Sequence, residues 1–235
     1  MRPSTALVLL TIMSASLLLA DQRHFVWTYE YLTMPPGEGE LESYYTSSAP
    51  NLQDMEGKVS VEHQVELEVG MTPRFDFSIY QTFLQEPEDN LRYKGYKLRA
   101  RFKFGEKGQY PLDPLLYLEY KGKPDFSEHG WEAKLILAKD MGRLNLALNP
   151  VVEIETGHGE TEVEFEYALG TSYRFTSTLS LGLEAKGGEH AHYIGPVIAH
   201  GSEPLWVALG SAFAVSSTES NGPKFQMRLL LGIGL

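Results

Sequence analysis

The stretch Lys97-Leu98-Arg99-Ala100-Arg101-Phe102-Lys103-Phe104-Gly105 carries a cation at every second position, with apolar residues between. Successive side chains of a β-strand point to opposite faces of the sheet. The stretch therefore predicts a strand with one cationic and one apolar face. Four cations in a row repel one another, so the cationic face needs carboxylates near it. The other face needs an apolar environment.

The same alternation recurs along most of the chain. From Val59 to Met71 the odd positions are apolar except His63, and the even positions are polar or glycine. Runs of about 10 to 13 residues exceed the average globular strand of about 5 or 6 residues and suit a tilted strand that crosses a bilayer. Twelve strands are predicted: 40–49, 58–70, 74–84, 91–105, 113–121, 130–140, 143–155, 161–173, 178–187, 190–200, 204–216 and 224–235.

The connections between these runs favour a closed barrel. Short turns such as 70–74 alternate with longer polar segments such as 84–90 and 155–161. An even strand number places both chain ends on the short-turn side, and closure leaves no exposed sheet edge. The predicted fold class is all-β, a single antiparallel transmembrane β-barrel of about 12 strands, with 10 to 14 strands left open.

The first 20 residues predict a cleaved signal peptide. Arg2 precedes an apolar run from Ala6 to Ala20, and the chain turns polar at Asp21. The run is shorter than the roughly 20 apolar residues of a membrane-spanning helix, which favours a secretory signal over an uncleaved anchor. The predicted organisation is a signal peptide (1–20), an N-terminal extension (21–38) and a barrel (39–235).

The composition of the chain argues against two classes of binding partner. The formal net charge is −11, which argues against nucleic acid and anionic membrane surfaces. The chain has no cysteine, so no disulfide framework stabilises it.

The N-terminal extension alternates like a strand but would give the barrel an odd strand number. Pro35 and Pro36 end the pattern. We interpret the extension either as a periplasmic segment or as a plug in the lumen, with Phe25, Trp27, Tyr29 and Tyr31 as the plugging aromatic residues. The inward positions of the late strands are small, which would leave space for a plug or for an open pore. They are Ser180, Gly182, Ala208, Gly210, Ala212, Gly232 and Gly234.

The last strand is apolar at alternate positions from Phe225 to Leu235. With the signal peptide and the repeated alternation, it resembles the bacterial outer-membrane β-barrel proteins. That resemblance implies that the barrel-assembly machinery reads this strand, although Leu235 stands where these proteins usually carry an aromatic residue. The segments 36–42 (PGEGELE), 193–196 (YIGP) and 204–210 (PLWVALG) resemble the barrels described as the "MetA pathway of phenol degradation" type, for which transport is implied.

Charged side chains on the inner face are the candidate functional residues. One interpretation is a charged pore whose opposed rows select solutes. The other is a set of cross-lumen ion pairs that fills a narrow barrel. The predicted pore-lining residues are Lys97, Arg99, Arg101, Lys103, Glu62, Glu66, Glu68, Glu153, Glu155, Glu162, Glu164 and Glu166.

Catalysis and metal binding have weaker support in the sequence than a charged lumen. His200-Gly201-Ser202 has the spacing of a nucleophile and base, but we place it at a turn and find no third member. His190 and His192 share a strand face near Glu189 and His158, and loop histidines facing solvent are the commoner explanation. We expect no catalytic residue, no metal site and no cofactor.

Aromatic residues on the outer face are expected to form two girdles at the membrane interfaces. One girdle would hold Phe83, Tyr93, Trp131 and Tyr193, and the other Phe75, Phe104, Tyr173 and Phe175.

The sequence thus predicts an outer-membrane channel or transporter for small solutes, in contact with outer-membrane lipid. A non-conducting structural or binding barrel, whose loops or N-terminal extension contact an unknown partner protein, is the alternative.

Overall fold

The computed structural model describes residues 22–53, 55–157, 159–202, 204–218 and 222–235. Twelve antiparallel strands form one closed barrel in which each strand pairs with the next and β1 pairs with β12. The described residues contain no helix that is long and apolar enough to cross a membrane. The strands are β1 (Gly39–Ala49), β2 (Ser60–Thr72), β3 (Phe75–Gln85), β4 (Arg92–Lys103), β5 (Asp113–Gly122), β6 (Glu128–Met141), β7 (Leu144–Gly157), β8 (Glu160–Arg174), β9 (Leu179–Gly187), β10 (Ala191–Ser202), β11 (Leu205–Ser217) and β12 (Phe225–Gly234).

The predicted all-β barrel of twelve strands is therefore confirmed. Strand ends differ from the predicted ones by no more than two residues. Two local predictions are wrong. The sequence predicts a polar loop at 155–161, yet β7 and β8 stay paired as far as Gly157 and Glu160. His200 and Ser202 were expected at a turn, yet β10 continues to Ser202.

Alternation separates an inner from an outer face all around the barrel. Leu41 pairs with Leu67 on one side and Ile233 on the other, and all three side chains are exposed on the outside. Next to them, Glu40 pairs with Glu68, and both carboxylates are buried inside. A register shift of one residue would exchange these faces, so the apolar outer face specifies the register.

The two ends of the barrel differ. The turns β2–β3, β6–β7 and β10–β11 lie with both ends of the barrel chain at one end, here called the turn end. The loops that follow β1, β3, β5 and β11 lie at the other end, here called the loop end.

Aromatic pairs on the outer face lie near both ends. Tyr120 packs on Trp131 with ring centroids 4.8 Å apart near the loop end, and Tyr173 on Phe175 at 5.1 Å near the turn end. Tyr193 does not join the outer girdle as expected. Its ring is buried inside the barrel, and its hydroxyl donates to the Pro223 carbonyl at 2.8 Å. The reason is register, since Tyr193 pairs with the inward-facing Lys186.

The N-terminal extension, described from Gln22 to Glu38, lies inside the barrel and forms no strand. It joins β1 at the turn end, where the Gly37 amide donates to the Gly70 carbonyl and the Gly70 amide to the Glu38 carbonyl. A side chain at Gly70 would collide with the backbone of Pro35, so glycine is required there. The predicted signal peptide lies outside the described residues.

We predict that Leu67→Arg destabilises the barrel in phospholipid vesicles by about 2–4 kcal/mol, because an arginine would face lipid near the middle of β2. Unfolding by urea measures the change. Met71→Arg, at the turn end of the same outer face, is the matched control and should cost no more than about 1 kcal/mol. Equal losses in the two variants would contradict a lipid-facing belt.

Candidate functional site

Arg99 and Arg101 form the centre of a buried charge cluster in the lumen. Arg99 Nη2 lies 2.8 Å from Glu66 Oε1 and also contacts Glu68. Arg101 contacts Glu68 and binds Asp76, with Nε 3.0 Å from both carboxylate oxygens. All five side chains are almost completely buried. Buried charges of this kind require partners and hydrogen bonds, and these residues supply them to one another.

Strand register explains how the cluster forms. Glu68 on β2, Ser78 on β3 and Arg99 on β4 lie in one row across three neighbouring strands. Because the serine between them is small, the guanidinium reaches past β3 to the carboxylate on β2. We expected the cations to face glutamate rows across the lumen, and this is wrong. The partners lie on the same wall.

The inward lysines of β4, β5 and β6 are paired in the same way. Lys97 Nζ lies 3.1 Å from Glu119, and Lys134 Nζ lies 2.8 Å from Glu132. Lys121 is held between Glu132, at 3.2 Å, and Glu153. Each of these three lysines therefore has a carboxylate of the barrel wall as its counter-charge.

The remaining predicted pore-lining residues lie at different heights. Glu62 pairs with Lys94 at 2.8 Å, and Lys103 Nζ lies 5.5 Å from the centre of the Tyr31 ring near the turn end. Two further glutamates, Glu164 and Glu166, face the middle of the lumen. Glu155 and Glu162 line the mouth at the loop end.

The aromatic residues of the N-terminal extension fill the lumen toward the turn end. Phe25, Trp27, Tyr29 and Tyr31 are each at most 8% exposed. Tyr29 packs on Tyr117 of β5 with centroids 4.9 Å apart, and the Tyr31 hydroxyl donates to the Gly105 carbonyl at 2.5 Å.

The barrel wall binds the backbone of the extension through side chains. The carboxylate of Glu184 on β9 accepts the amides of Val26, Trp27 and Thr28 at 2.9, 2.9 and 2.7 Å. Asn149 on β7 accepts the Tyr29 amide at 2.6 Å and donates to the Tyr29 carbonyl at 3.0 Å. Buried backbone groups that no strand satisfies are satisfied here by the wall.

Small wall residues give the extension its space. A Cβ on Gly170 would lie 2.7 Å from the Phe25 ring, and one on Gly210 would collide with Val26. The space at Gly232 is taken by Trp206 of β11 instead. The Trp206 indole donates to Glu40 at 3.0 Å.

This arrangement leaves cavities on both sides of the extension. On the loop-end side of the extension lies a cavity of 460 Å³, here called the inner vestibule, with Trp27 and Tyr29 among its lining residues. A wider outer mouth of 1040 Å³ lies at the loop end. On the turn-end side is a cavity of 200 Å³ lined by His24, Glu30 and Tyr31. The extension thus lies between the inner vestibule and the turn end.

Within the extension, His24 and Glu30 close a loop. His24 Nδ1 lies 2.8 Å from Glu30 Oε1, and the His24 amide donates to Glu30 Oε2 at 2.8 Å. The negative charge of Glu30 raises the pKa of His24, while burial acts in the opposite direction. Folding therefore shifts His24 toward its protonated form.

The chemical alternatives are dispersed over the molecule. His192 contacts the Tyr167 hydroxyl at 3.0 Å, while His158 lies outside the described residues. No group of three or more metal-ligating residues occurs in the described part of the chain. His200 and Ser202 are exposed near the turn end of β10.

The sequence did not identify Asp76, Glu184 and Asn149 as important residues of the lumen. Asp76, Glu184 and Asn149 each alternate with outward apolar neighbours, so their inward direction was readable from the sequence. Their partners were not readable. Asp76 binds an arginine across one strand pair, and Glu184 and Asn149 bind a segment more than a hundred residues away in the chain.

We predict that Arg99→Met destabilises the barrel by about 3–5 kcal/mol, because it leaves Glu66 and Glu68 buried with one cation fewer. Urea unfolding measures the loss. The double variant Arg99→Met/Glu66→Gln removes charge from both sides and should recover part of it. A double variant as unstable as the sum of its single changes would contradict the coupling.

We also predict that Glu184→Gln loosens the extension. The amide of glutamine offers one acceptor oxygen in place of a carboxylate that binds three amides. The chain has no cysteine and Thr28 is fully buried, so Thr28→Cys introduces a single reporter thiol. Maleimide labelling should become about tenfold faster in the Glu184→Gln background. Glu166→Gln, a vestibule carboxylate of the neighbouring strand, is the matched control and should leave the rate unchanged. Equal rates in both backgrounds would contradict the anchoring role.

No family model matches the chain, and no curated protein matches it. Solved structures do. The COG4313 outer membrane channel from Pseudomonas putida F1 is similar over 90% of this chain and all of its own, with a TM-score of 0.63 and 14% identity. A KdgM porin in complex with oligogalacturonate is similar over 83% of this chain and 97% of its own, with a TM-score of 0.59 and 9% identity. The NanC porin is similar over 83% of this chain and 98% of its own, with a TM-score of 0.55 and 8% identity. The fold is that of outer-membrane β-barrel channels.

Proposed function

We propose that the chain is an outer-membrane channel for small solutes whose passage is closed at the turn end by its own N-terminal extension. One observation carries the proposal. A separate segment of chain, bound by side-chain hydrogen bonds, lies in the lumen between the inner vestibule and the cavity at the turn end. A barrel built only for structure could close its lumen with side chains of the wall.

The outer surface supports the membrane location. Apolar side chains face outward along every strand, and aromatic pairs lie toward both ends. We propose that this belt contacts outer-membrane lipid and that the barrel-assembly machinery reads β12. The solved structures that share the fold are described as a channel and as porins, one of them with bound oligogalacturonate.

We propose transport rather than catalysis. His200 and Ser202 are exposed at the turn end of β10 and do not line the inner vestibule. The groups of the lumen that are buried and charged bind one another or the extension. They are occupied in structural contacts.

A second candidate is a non-conducting barrel that contacts a partner protein. The number of hydrogen bonds that hold the extension favours this candidate, since Glu184 and Asn149 together bind four of its amides. An extension held this firmly would act as a permanent core of the barrel.

Conductance in planar bilayers distinguishes the two. We expect the wild-type protein to show rare openings, and a variant without residues 24–33 to show frequent discrete ones. The pair Glu184→Gln/Asn149→Ala should also open more often, because it removes the wall's hold on the extension. Heat-modifiable migration on gels shows that each variant is folded. Folded variants that never conduct would contradict the channel and support the second candidate.

A further inference from the structure

Two cations of the inner vestibule differ from all its other cations. Lys186 of β9 and Arg228 of β12 line this cavity and are partly exposed to it. Neither forms an ion pair with a carboxylate of the described residues, whereas Lys97, Lys121 and Lys134 of the same cavity each do. They are cations without a counter-charge in contact.

Both cations lie on the same aromatic ring. Lys186 Nζ is 4.8 Å and Arg228 Cζ 5.5 Å from the centre of the Trp27 ring, and Lys186 Nζ is 5.4 Å from that of Tyr193. Cation–π contacts hold the two groups in place but neutralise neither of them. Two like charges on one ring repel each other, and an anion between them would offset this repulsion.

Hydrogen-bond donors remain available at the same place. Arg228 uses Nε on Thr46 Oγ1, at 2.8 Å, and Nη1 on the Val26 carbonyl, at 3.3 Å. Its Nη2 group and the ammonium of Lys186 bind no acceptor among the described residues. A guanidinium and an ammonium that contact one aromatic ring supply the kind of donors that recognise a carboxylate.

The surroundings limit what the rest of such a ligand can be. Glu164 and Glu166 of β8 also line the vestibule, and they would repel a second negative charge. Their oxygens can accept hydrogen bonds from hydroxyl groups, and the amides of Gln64 and Gln226 can bind hydroxyls as well. The cavity of 460 Å³ has the size of a small-molecule site.

We propose that Lys186 and Arg228, each in contact with the Trp27 ring, form a subsite for a hydroxylated monocarboxylate the size of a sugar acid. The inference deepens the proposed function, since it names the class of solute that the same vestibule takes up. The subsite exists only because the extension lies in the lumen, since Trp27 and the Val26 carbonyl position the two cations. The segment that closes the passage therefore also builds the floor of the binding site.

Isothermal titration calorimetry on the full folded chain in detergent tests the subsite. The probes are galacturonate, its neutral counterpart galactose and the dicarboxylate galactarate. We expect galacturonate to bind, galactose to bind at least about tenfold more weakly, and galactarate to bind more weakly than galacturonate because of the acidic wall. Equal affinity for galactose and galacturonate, or no binding of galacturonate, overturns the proposal.

Substitutions locate the binding. Lys186→Gln and Arg228→Gln should each weaken galacturonate about tenfold. Lys121→Gln is the matched control, because it removes the same charge from the same cavity but from a paired lysine. It should change the affinity less than about threefold. An equal loss in Lys121→Gln would mean a diffuse positive potential and would reject the subsite. Heat-modifiable migration verifies folding, and Arg228→Gln stands in if Lys186→Gln does not fold.

Calorimetry does not depend on conduction, so the two proposals fail separately. A protein that binds galacturonate but never conducts rejects the channel and keeps the subsite. A protein that conducts but binds no galacturonate rejects the subsite alone.

Discussion

The side chains of the wall do not fill this closed barrel of twelve strands, and the rest of the structure follows from the space that they leave. Eight strands leave an interior that side chains just fill, whereas channels use more strands. Here one side of the lumen is occupied by the cluster around Arg99 and Arg101, and the turn end by the N-terminal extension. What remains is a vestibule open toward the loop end.

The two fillings differ in their physical character. The charge cluster is part of the wall, because its members belong to β2, β3 and β4, and it cannot leave without breaking buried ion pairs. The extension forms no strand and is bound by single side chains such as Glu184 and Asn149. The lumen therefore holds one filling that belongs to the barrel wall and one that is a separate segment of chain.

The sequence predicted the barrel well because the signal is local. Alternation over a dozen residues, as in β2 or β4, is visible in the strand itself, and it recurs in the other strands because the outer face of the barrel is apolar. The site was predicted only in part. The inward direction of a residue could be read from the sequence. That Arg99 reaches across Ser78 to Glu68, and that Lys186 forms no ion pair with a described carboxylate, could not be read, because strand pairing and stagger decide these contacts. Tyr193 was assigned to the wrong face for the same reason.

A reversible covalent lock tests the central claim, that the extension closes the passage, most directly. The chain has no cysteine, and a side chain at Gly210 would touch that of Val26, so the pair Val26→Cys/Gly210→Cys brings two thiols together. In a Glu184→Gln background, single-channel recording should show silence when the pair is oxidised and frequent openings after reduction. Equal conductance in the oxidised and reduced states would contradict the account.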